Sequence, residues 1–135
     1  MDIRGLECRI GRGRVVLPTT FVDLLGEYSV GTRIPVSDLV GCAIGVWTDE
    51  PILSISLSRH EPAPIRTTNG ALLLAAKAVI RWAFEIDEPI GIVSIASMAK
   101  PTATIPWRRS AMLSDGRSLQ FIDIPMMIED LGGRV

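Results

Sequence analysis

Histidine, cysteine and aromatic residues are scarce in this 135-residue chain, which has one histidine, two cysteines and 5% aromatic residues. His60 lies in a Pro-rich connection, where a catalytic base is not expected, so neither a Ser–His nor a Cys–His pair is predicted. Cys8 and Cys42 lack metal-binding spacing and sit among apolar residues. We expect buried reduced thiols, with a disulfide as the alternative. The sequence therefore predicts no enzyme, no cofactor and no metal.

The chain also has no large surplus of positive or negative charge, since it contains 14 Lys and Arg residues and 15 Asp and Glu residues, for a net charge of −1. Proteins that bind nucleic acid cluster their basic residues on one surface. The basic spots here, Arg9-Arg12-Arg14 and Arg108-Arg109, are small and separated. We interpret them as solvated strand ends and expect no nucleic-acid partner.

Long apolar runs are missing as well. The longest, Ala71–Phe84, is broken by Lys77 and Arg81, so it is too short and too charged to span a bilayer. The N-terminus has no apolar signal-peptide core. Because 47% of the residues are hydrophobic, the chain can bury a core as one compact unit. We expect a cytoplasmic protein with no direct membrane insertion.

Glycine and proline are plentiful, with 12 and 9 residues spaced among short β-rich segments. This pattern predicts small β-barrels rather than a helical bundle. A first hairpin is predicted over Leu6–Leu17, with its turn at Gly11-Arg12-Gly13. A short helix is predicted near Pro125–Asp130. The segment Thr19–Leu25 is left open between a short helix, near Thr20–Leu25, and a strand.

The segment Ala71–Phe84 favours strand–turn–strand, with the turn near Ala76-Lys77. From Ile80 onward the even positions are all apolar, which matches the period of a strand. A further strand is predicted over Ile90–Ile95, with a bulge at Gly91.

A turn followed by an apolar strand occurs once in each half of the chain. Trp47–Glu50 precedes Pro51–Leu57, and Asp115-Gly116 precedes Ser118–Ile124. Asp-Gly is a signal for a tight primed hairpin turn, because it adopts positive φ at low cost. The repeat predicts a single domain, residues 1–135, with two lobes near 14–58 and 70–124. The N- and C-terminal segments complete the lobes, and residues 59–69 form the boundary.

The tryptophans leave two interpretations open. Trp47 and Trp107 occupy related places before the turns of the two halves, and Trp82 lies in a predicted strand. Large aromatic side chains usually pack in a core. Tryptophan is also enriched among the anchors of protein interfaces.

Five segments together carry a family resemblance. They are Arg14–Pro18, the Ile34-Pro35 step and Pro51–Leu57 in the first half, and Arg81–Val93 and Asp115–Ile124 in the second. In this order they resemble the CheW-like family, the coupling adaptors of bacterial chemosensory arrays. The chain departs from the family where Val46–Asp49 replaces an Asn-x-Arg-Gly turn and where Ser56 replaces an Asp. The chain therefore resembles a divergent member of the CheW-like family.

The resemblance implies a mostly β fold of two small five-stranded SH3-like β-barrel lobes, with an apolar groove between them. It implies a non-enzymatic adaptor that couples the cytoplasmic helical tip of a chemoreceptor to the CheW-like regulatory domain of a CheA-type histidine kinase. The alternative is a structural or polarity module with the same fold and an unrelated protein partner. Self-association is left open.

Two partner surfaces follow from the resemblance. The kinase-facing surface would comprise Trp47, Thr48, Asp49 and Ile52. The receptor groove would be lined by apolar residues of the first lobe, namely Val22, Leu25, Ile34, Pro35 and Val36. Alternation along an extended strand would place Ile34 and Val36 on the same face.

Overall fold

The fold is taken from a computed structural model that describes residues 3–28, 33–39, 42–47, 50–55, 70–75, 82–101 and 105–130. Side chains are described within 3–20, 84–101 and 105–130. In chain order the strands are β1 (Ile3–Ile10), β2 (Gly13–Pro18), β3 (Val22–Tyr28), β4 (Arg33–Leu39), β5 (Cys42–Trp47), β6 (Glu50–Ile55), β7 (Gly70–Ala75), β8 (Trp82–Ile86), β9 (Glu88–Met98), β10 (Arg108–Leu113) and β11 (Ser118–Ile122). A 3-10 helix at Thr19–Phe21 joins β2 to β3, and α1 (Ile124–Asp130) follows β11.

Five of the strands close into a barrel in the order β1-β2-β11-β10-β9. Neighbouring strands are antiparallel except β2 and β11, which pair in parallel through Val15↔Gln120 and Val16↔Phe121. The other six strands form one sheet in the order β3-β7-β8-β6-β5-β4. The prediction of a mostly β fold is confirmed. Of the two predicted five-stranded barrels, one is present as a closed barrel. The two-lobe arrangement with an apolar groove between the lobes stays a prediction.

Strand pairing crosses the predicted lobe ranges. β2 was expected in the first lobe, yet it pairs with β11 from the second half of the chain. β7 and β8 were expected in the second lobe, yet they pair with β3 and β6. Turn signals and local apolar patterns locate strands, whereas the choice of partner depends on long-range packing that no local pattern encodes.

The first predicted hairpin is confirmed, since β1 and β2 pair from Gly5↔Pro18 to Ile10↔Gly13. Only Gly11 and Arg12 lie between the strands, and Gly11 has φ 59°. Left-handed backbone of this kind is readily adopted by glycine, which has no Cβ to clash.

The Asp115-Gly116 hairpin is also confirmed, but its turn is longer than the predicted tight turn. Gly116 N–H donates to Leu113 O at 3.0 Å, and Leu113 N–H donates to Arg117 O at 2.8 Å. Three residues therefore form the loop, with Gly116 at φ 92° in the left-handed position that closes such loops.

The strands predicted within Ala71–Phe84 and over Ile90–Ile95 are present as β7, β8 and β9. β7 and β8 are antiparallel, with Ala75 opposite Trp82, so the two strands of Ala71–Phe84 are confirmed, and the turn between them lies outside the described residues. In β9 the register shifts opposite Glu7 and Cys8, and the extra residue is Ile90, next to the predicted Gly91.

Of the two segments with possible helices, the second, near Pro125–Asp130, is confirmed as a helix, and the first, Thr19–Leu25, is mostly strand, which was its alternative. Asp123 caps α1, because its Oδ1 accepts from Met126 N–H at 3.2 Å and its carbonyl accepts from Met127 N–H at 2.9 Å. The first segment begins with a 3-10 turn, after which Leu25 pairs with Leu73 in β3. Pairing with β7 replaces helical hydrogen bonds there.

Buried apolar side chains form two clusters on opposite faces of the barrel strands. The inner cluster fills the barrel and comprises Val16, Ile95, Ala111, Leu113 and Phe121. The outer cluster lies between the outside of the barrel, β8 and α1. It comprises Cys8, Ile10, Val15, Leu17, Phe84, Ile86, Ile105, Trp107, Ile122, Ile124, Met127 and Ile128.

Candidate interaction surface

Two of the four residues assigned to the kinase-facing surface lie on paired strands. Trp47 ends β5 opposite Glu50, and Ile52 of β6 pairs with Gly45, two residues before Trp47. The backbone therefore brings Trp47 and Ile52 to nearby register positions. Thr48 and Asp49 lie outside the described residues.

The residues assigned to the receptor groove lie on strands at the two ends of the six-stranded sheet. Val22 and Leu25 belong to β3, and Ile34, Pro35 and Val36 belong to β4. Backbone pairing does not make these two strands neighbours in the strand order.

A register shift also interrupts the pairing of β4 with β5. Pro35 pairs with Gly45 and Ser37 pairs with Ile44, so Val36 is an extra residue without a register partner in β5. A register shift of this kind marks a β-bulge in β4. The prediction that Ile34 and Val36 share a face concerns side chains outside the described ones, and it stays a prediction.

On the barrel, four large apolar side chains are exposed. Ile3, Ile90, Ile92 and Met112 are exposed to 48%, 42%, 60% and 44%. Ile90 and Ile92 flank Gly91 in β9, beside the bulge opposite Glu7 and Cys8. Single exposed aliphatic residues are common on protein surfaces, so a further feature is needed to single out any one of them.

An open depression of about 260 Å³ adjoins Ile92. Ser114 N–H donates to Ser94 O at 2.9 Å and thereby fixes the β10–β11 loop beside β9. The lining combines apolar and hydroxyl-bearing residues, namely Ile92, Val93, Ser94, Leu113, Ser114 and Asp115. The volume is below that of an ordinary small-molecule pocket and is of the order of one or two side chains.

A buried carboxylate holds the loop beside this depression. The Glu7 side chain is 2% exposed and accepts two hydrogen bonds from Arg117, at 2.8 and 3.0 Å. Arg14 donates a third at 3.1 Å. Arg117 also donates to Asp115 Oδ2 at 2.8 Å, so one arginine joins β1 to the tip of the β10–β11 hairpin.

These contacts shift the pKa values of Glu7, Asp115 and Arg117. The hydrogen bond from Arg117 is the main reason why the pKa of Glu7 lies below its usual value, although burial opposes the shift. Hydrogen bonds from the backbone and side chain of Arg117 lower the pKa of Asp115, and Glu7 and Asp115 together raise the pKa of Arg117. These shifts favour the charged forms of Glu7, Asp115 and Arg117.

Sequence reasoning missed this cluster. Glu7, in the first strand, and Arg117 are 110 residues apart, and no local signal links them. Alternation along β1 gave no clue, since Glu7 lies between the apolar residues Leu6 and Cys8 and a half-buried strand would place it on the solvent face.

The basic spots are more structured than solvated strand ends. Arg108 is 8% exposed, and its Cζ lies 5.4 Å from the centroid of the Trp107 ring. Arg9 and Arg14 form ion pairs with Glu88 and Glu7, at 3.2 and 3.1 Å. The interpretation as a solvated strand end is therefore wrong for Arg108, which is buried. Arg9 and Arg14 keep 41% and 50% of their side chains exposed, as solvated residues do, although each also forms an ion pair.

The three tryptophans occupy different places. Trp107 is 2% exposed in the outer cluster, and its Nε1–H donates to Asp130 Oδ2 at 3.2 Å. It is a core residue rather than an interface anchor. Trp82 begins β8, which confirms its place in a strand, and Trp47 ends β5.

Among the two cysteines and His60, only the side chain of Cys8 is described. Cys8 is a free, fully buried thiol, and burial, followed by the nearby Glu7 charge, raises its pKa to about 12. A thiol in that state is a packing group rather than a nucleophile. Cys42 lies in β5, and His60 lies outside the described residues.

Among the described residues, no three His, Cys, Asp or Glu side chains form a group that could hold a metal ion. Within the part of the chain that the structure describes, no helix combines the length and the apolar character that crossing a membrane requires.

No protein-family model matches the chain, and no curated protein matches it.

Proposed function

We propose that this chain is a non-enzymatic adaptor of the CheW-like kind, which couples chemoreceptor cytoplasmic tips to a CheA-type histidine kinase through protein–protein contacts. The observation that carries the proposal is the closed five-stranded barrel. Two of its hairpins contain segments that resemble the family, Arg14–Pro18 in β2 and Asp115–Ile124 around β11. The order of the family-like motifs along the chain supports the same conclusion.

The chemistry of the barrel suits binding better than catalysis. Its buried carboxylate, Glu7, is engaged by two arginines, and its buried thiol, Cys8, has a raised pKa. Groups held in this way stabilise a rigid scaffold, whereas a catalytic base or nucleophile must reach a substrate. A rigid barrel is what an adaptor needs to present fixed surfaces.

We assign the kinase contact to the surface that includes Trp47, Thr48, Asp49 and Ile52. If Trp47 is an exposed anchor, its truncation removes a large apolar contact from the interface. In that case Trp47→Ala weakens kinase binding by about 2 kcal/mol, or roughly 30-fold in Kd, with little change in melting temperature.

The kinase assignment is tested with a purified CheW-like regulatory fragment of a CheA-type kinase and isothermal titration calorimetry. Ile92→Ser provides the matched control, because Ile92 is an exposed apolar residue on the barrel. Weaker binding by Trp47→Ala alone supports the assignment. Equal binding by both variants and the parent chain would overturn it, as would a destabilised Trp47→Ala whose folded fraction binds normally.

We assign the receptor contact to the groove residues Val22, Leu25, Ile34, Pro35 and Val36. A helical receptor tip would lay an apolar stripe against them, so a buried carboxylate there would be strongly unfavourable. Leu25→Asp or Val36→Asp should abolish binding of a receptor cytoplasmic fragment while the kinase fragment still binds. Unchanged receptor binding by folded variants would exclude this groove.

One observation favours a second candidate, a structural or polarity module with an unrelated protein partner. Val46–Asp49 stands where the CheW-like family has its Asn-x-Arg-Gly turn, at the surface assigned to the kinase. The same titrations separate the candidates. A folded parent chain that binds neither fragment at 100 micromolar, about 5.5 kcal/mol, would contradict the coupling role and leave the second candidate.

A further inference from the structure

The six-stranded sheet is an insertion within the barrel. Residues 22–86 supply β3 to β8, and the barrel strands lie on either side of them in the sequence. The chain leaves the barrel after Pro18, opposite Gly5, and returns at Asp87, whose N–H donates to Arg9 O at 2.9 Å. Gly5 and Arg9 are four residues apart in β1, so the two connections are roughly 13 Å apart along that strand.

Asp87 is the single residue between β8 of the sheet and β9 of the barrel. Its side chain, 25% exposed, accepts a hydrogen bond from Gly11 N–H and lies 3.9 Å from Arg9 Nη1. Together with its own N–H, it therefore makes three contacts with the end of the β1–β2 hairpin. Positive φ at Gly11 belongs to the turn that presents this N–H.

An apolar contact also joins the two sheets within the described residues. Phe84 and Ile86 of β8 are fully buried in the outer cluster, against the outside of the barrel. Apolar burial is non-directional, so it holds two surfaces together without fixing the angle between them. Hydrogen bonds at a one-residue connection are directional, and such connections are where hinge motions occur.

We propose that Asp87 is a latch, whose contacts with the β1–β2 turn fix the angle between the barrel and the six-stranded sheet. With the latch in place the two sheets move as one body. Without it, the chain bends at residue 87 and β8 slides on the outer cluster. The proposal concerns orientation and holds whichever partners the two sheets bind.

Backbone residual dipolar couplings test this directly, because they report the orientation of each sheet in one weakly aligned sample. In the parent chain, couplings from β1, β2 and β9–β11 and couplings from β3–β8 should fit one common alignment tensor. In Asp87→Ala they should require two tensors of different magnitude or orientation. Asp87→Asn keeps an acceptor for Gly11 N–H but removes the charge facing Arg9, and it should deviate less.

Glu88→Gln is the matched control. Glu88 faces the same arginine at 3.2 Å, is 60% exposed and lies one residue beyond the connection. Its substitution should leave one common tensor. The proposal is overturned if the parent chain already needs two tensors, if folded Asp87→Ala keeps the parent tensor, or if Glu88→Gln behaves like Asp87→Ala. It is also overturned if both Asp87 variants lose their dispersed spectra, since Asp87 would then be required for folding rather than for orientation.

Discussion

The inside and the outside of the barrel bury very different amounts of apolar side chain. The inner cluster contains five buried residues, one of them the small Ala111. The outer cluster contains twelve, including Trp107 and Phe84. The larger core of the described structure is therefore the layer between the barrel wall, β8 and α1, and the barrel interior is the smaller one.

This difference explains why some barrel strands lack alternation. Val15, Val16 and Leu17 are consecutive and all fully buried, as Phe121 and Ile122 nearly are. Val16 and Phe121 face the barrel interior, whereas Val15, Leu17 and Ile122 face the outer layer. Strands buried on both faces are apolar throughout, which is usual where a sheet is covered on both sides.

The largest expected effect is in the outer cluster. Trp107→Ala should lower the free energy of unfolding by about 4 kcal/mol, because it leaves a large cavity and removes the hydrogen bond to Asp130. Urea denaturation followed by circular dichroism measures this. Trp107→Phe keeps most of the ring volume and should cost clearly less. A loss below about 1 kcal/mol for Trp107→Ala would show that the outer layer is not a core.

The next largest effect is expected at the buried Glu7 carboxylate and its ion pairs with Arg117 and Arg14. Glu7→Ala should cost about 3 kcal/mol, the lower end for breaking a buried ion pair, because Arg117 and Arg14 are 42% and 50% exposed and can recover water. Glu88→Gln removes an exposed pair with Arg9 and should cost less than about 1 kcal/mol. If Glu7→Ala and Glu88→Gln lost equal stability in thermal denaturation, burial of the Glu7 carboxylate would add nothing to the stability that its ion pairs contribute.

A pair of glycine substitutions probes how tightly the inner cluster is packed. A Cβ at Gly5 would collide with Val16 Cγ1 and lie 3.1 Å from Leu17 O, so Gly5→Ala should cost about 2 kcal/mol. A Cβ at Gly91 would meet nothing within 4 Å. Gly91→Ala should therefore be neutral or slightly stabilising. The reverse order of melting temperatures would contradict the packing described for the barrel interior.

The smallest expected effect is a dependence on pH. Since folding lowers the pKa of Glu7, its carboxylate contributes stability above the ordinary value of 4.5, and this contribution is lost as the pH falls through the lower folded value. Glu7→Gln lacks this dependence. The difference in unfolding free energy between the parent chain and Glu7→Gln should therefore shrink as the pH drops below 4.5. A difference that stays constant down to about pH 2 would exclude a folded-state pKa shift at Glu7.

Local signals predicted much of this fold. The Gly11 and Asp115-Gly116 turns, the two strands within Ala71–Phe84 and the last helix all depend on neighbouring residues, and all are present. The parallel pairing of β2 with β11 and the Glu7–Arg117 contact join distant segments, and a single sequence gives no local signal for either. The candidate site residues were predicted from the family resemblance rather than from local signals. The described backbone places Trp47, Ile52 and the five groove residues on strands.

The most direct test of the shared outer core is native-state hydrogen exchange. Val15 and Leu17 in the barrel and Phe84 and Ile86 in the six-stranded sheet are buried in one cluster. Their amides should therefore exchange only through global unfolding, with equal free energies of opening. Barrel amides that remain protected while those of Phe84 and Ile86 open at a free energy about 2 kcal/mol lower or more would show that the sheet unfolds separately, and would contradict a common core.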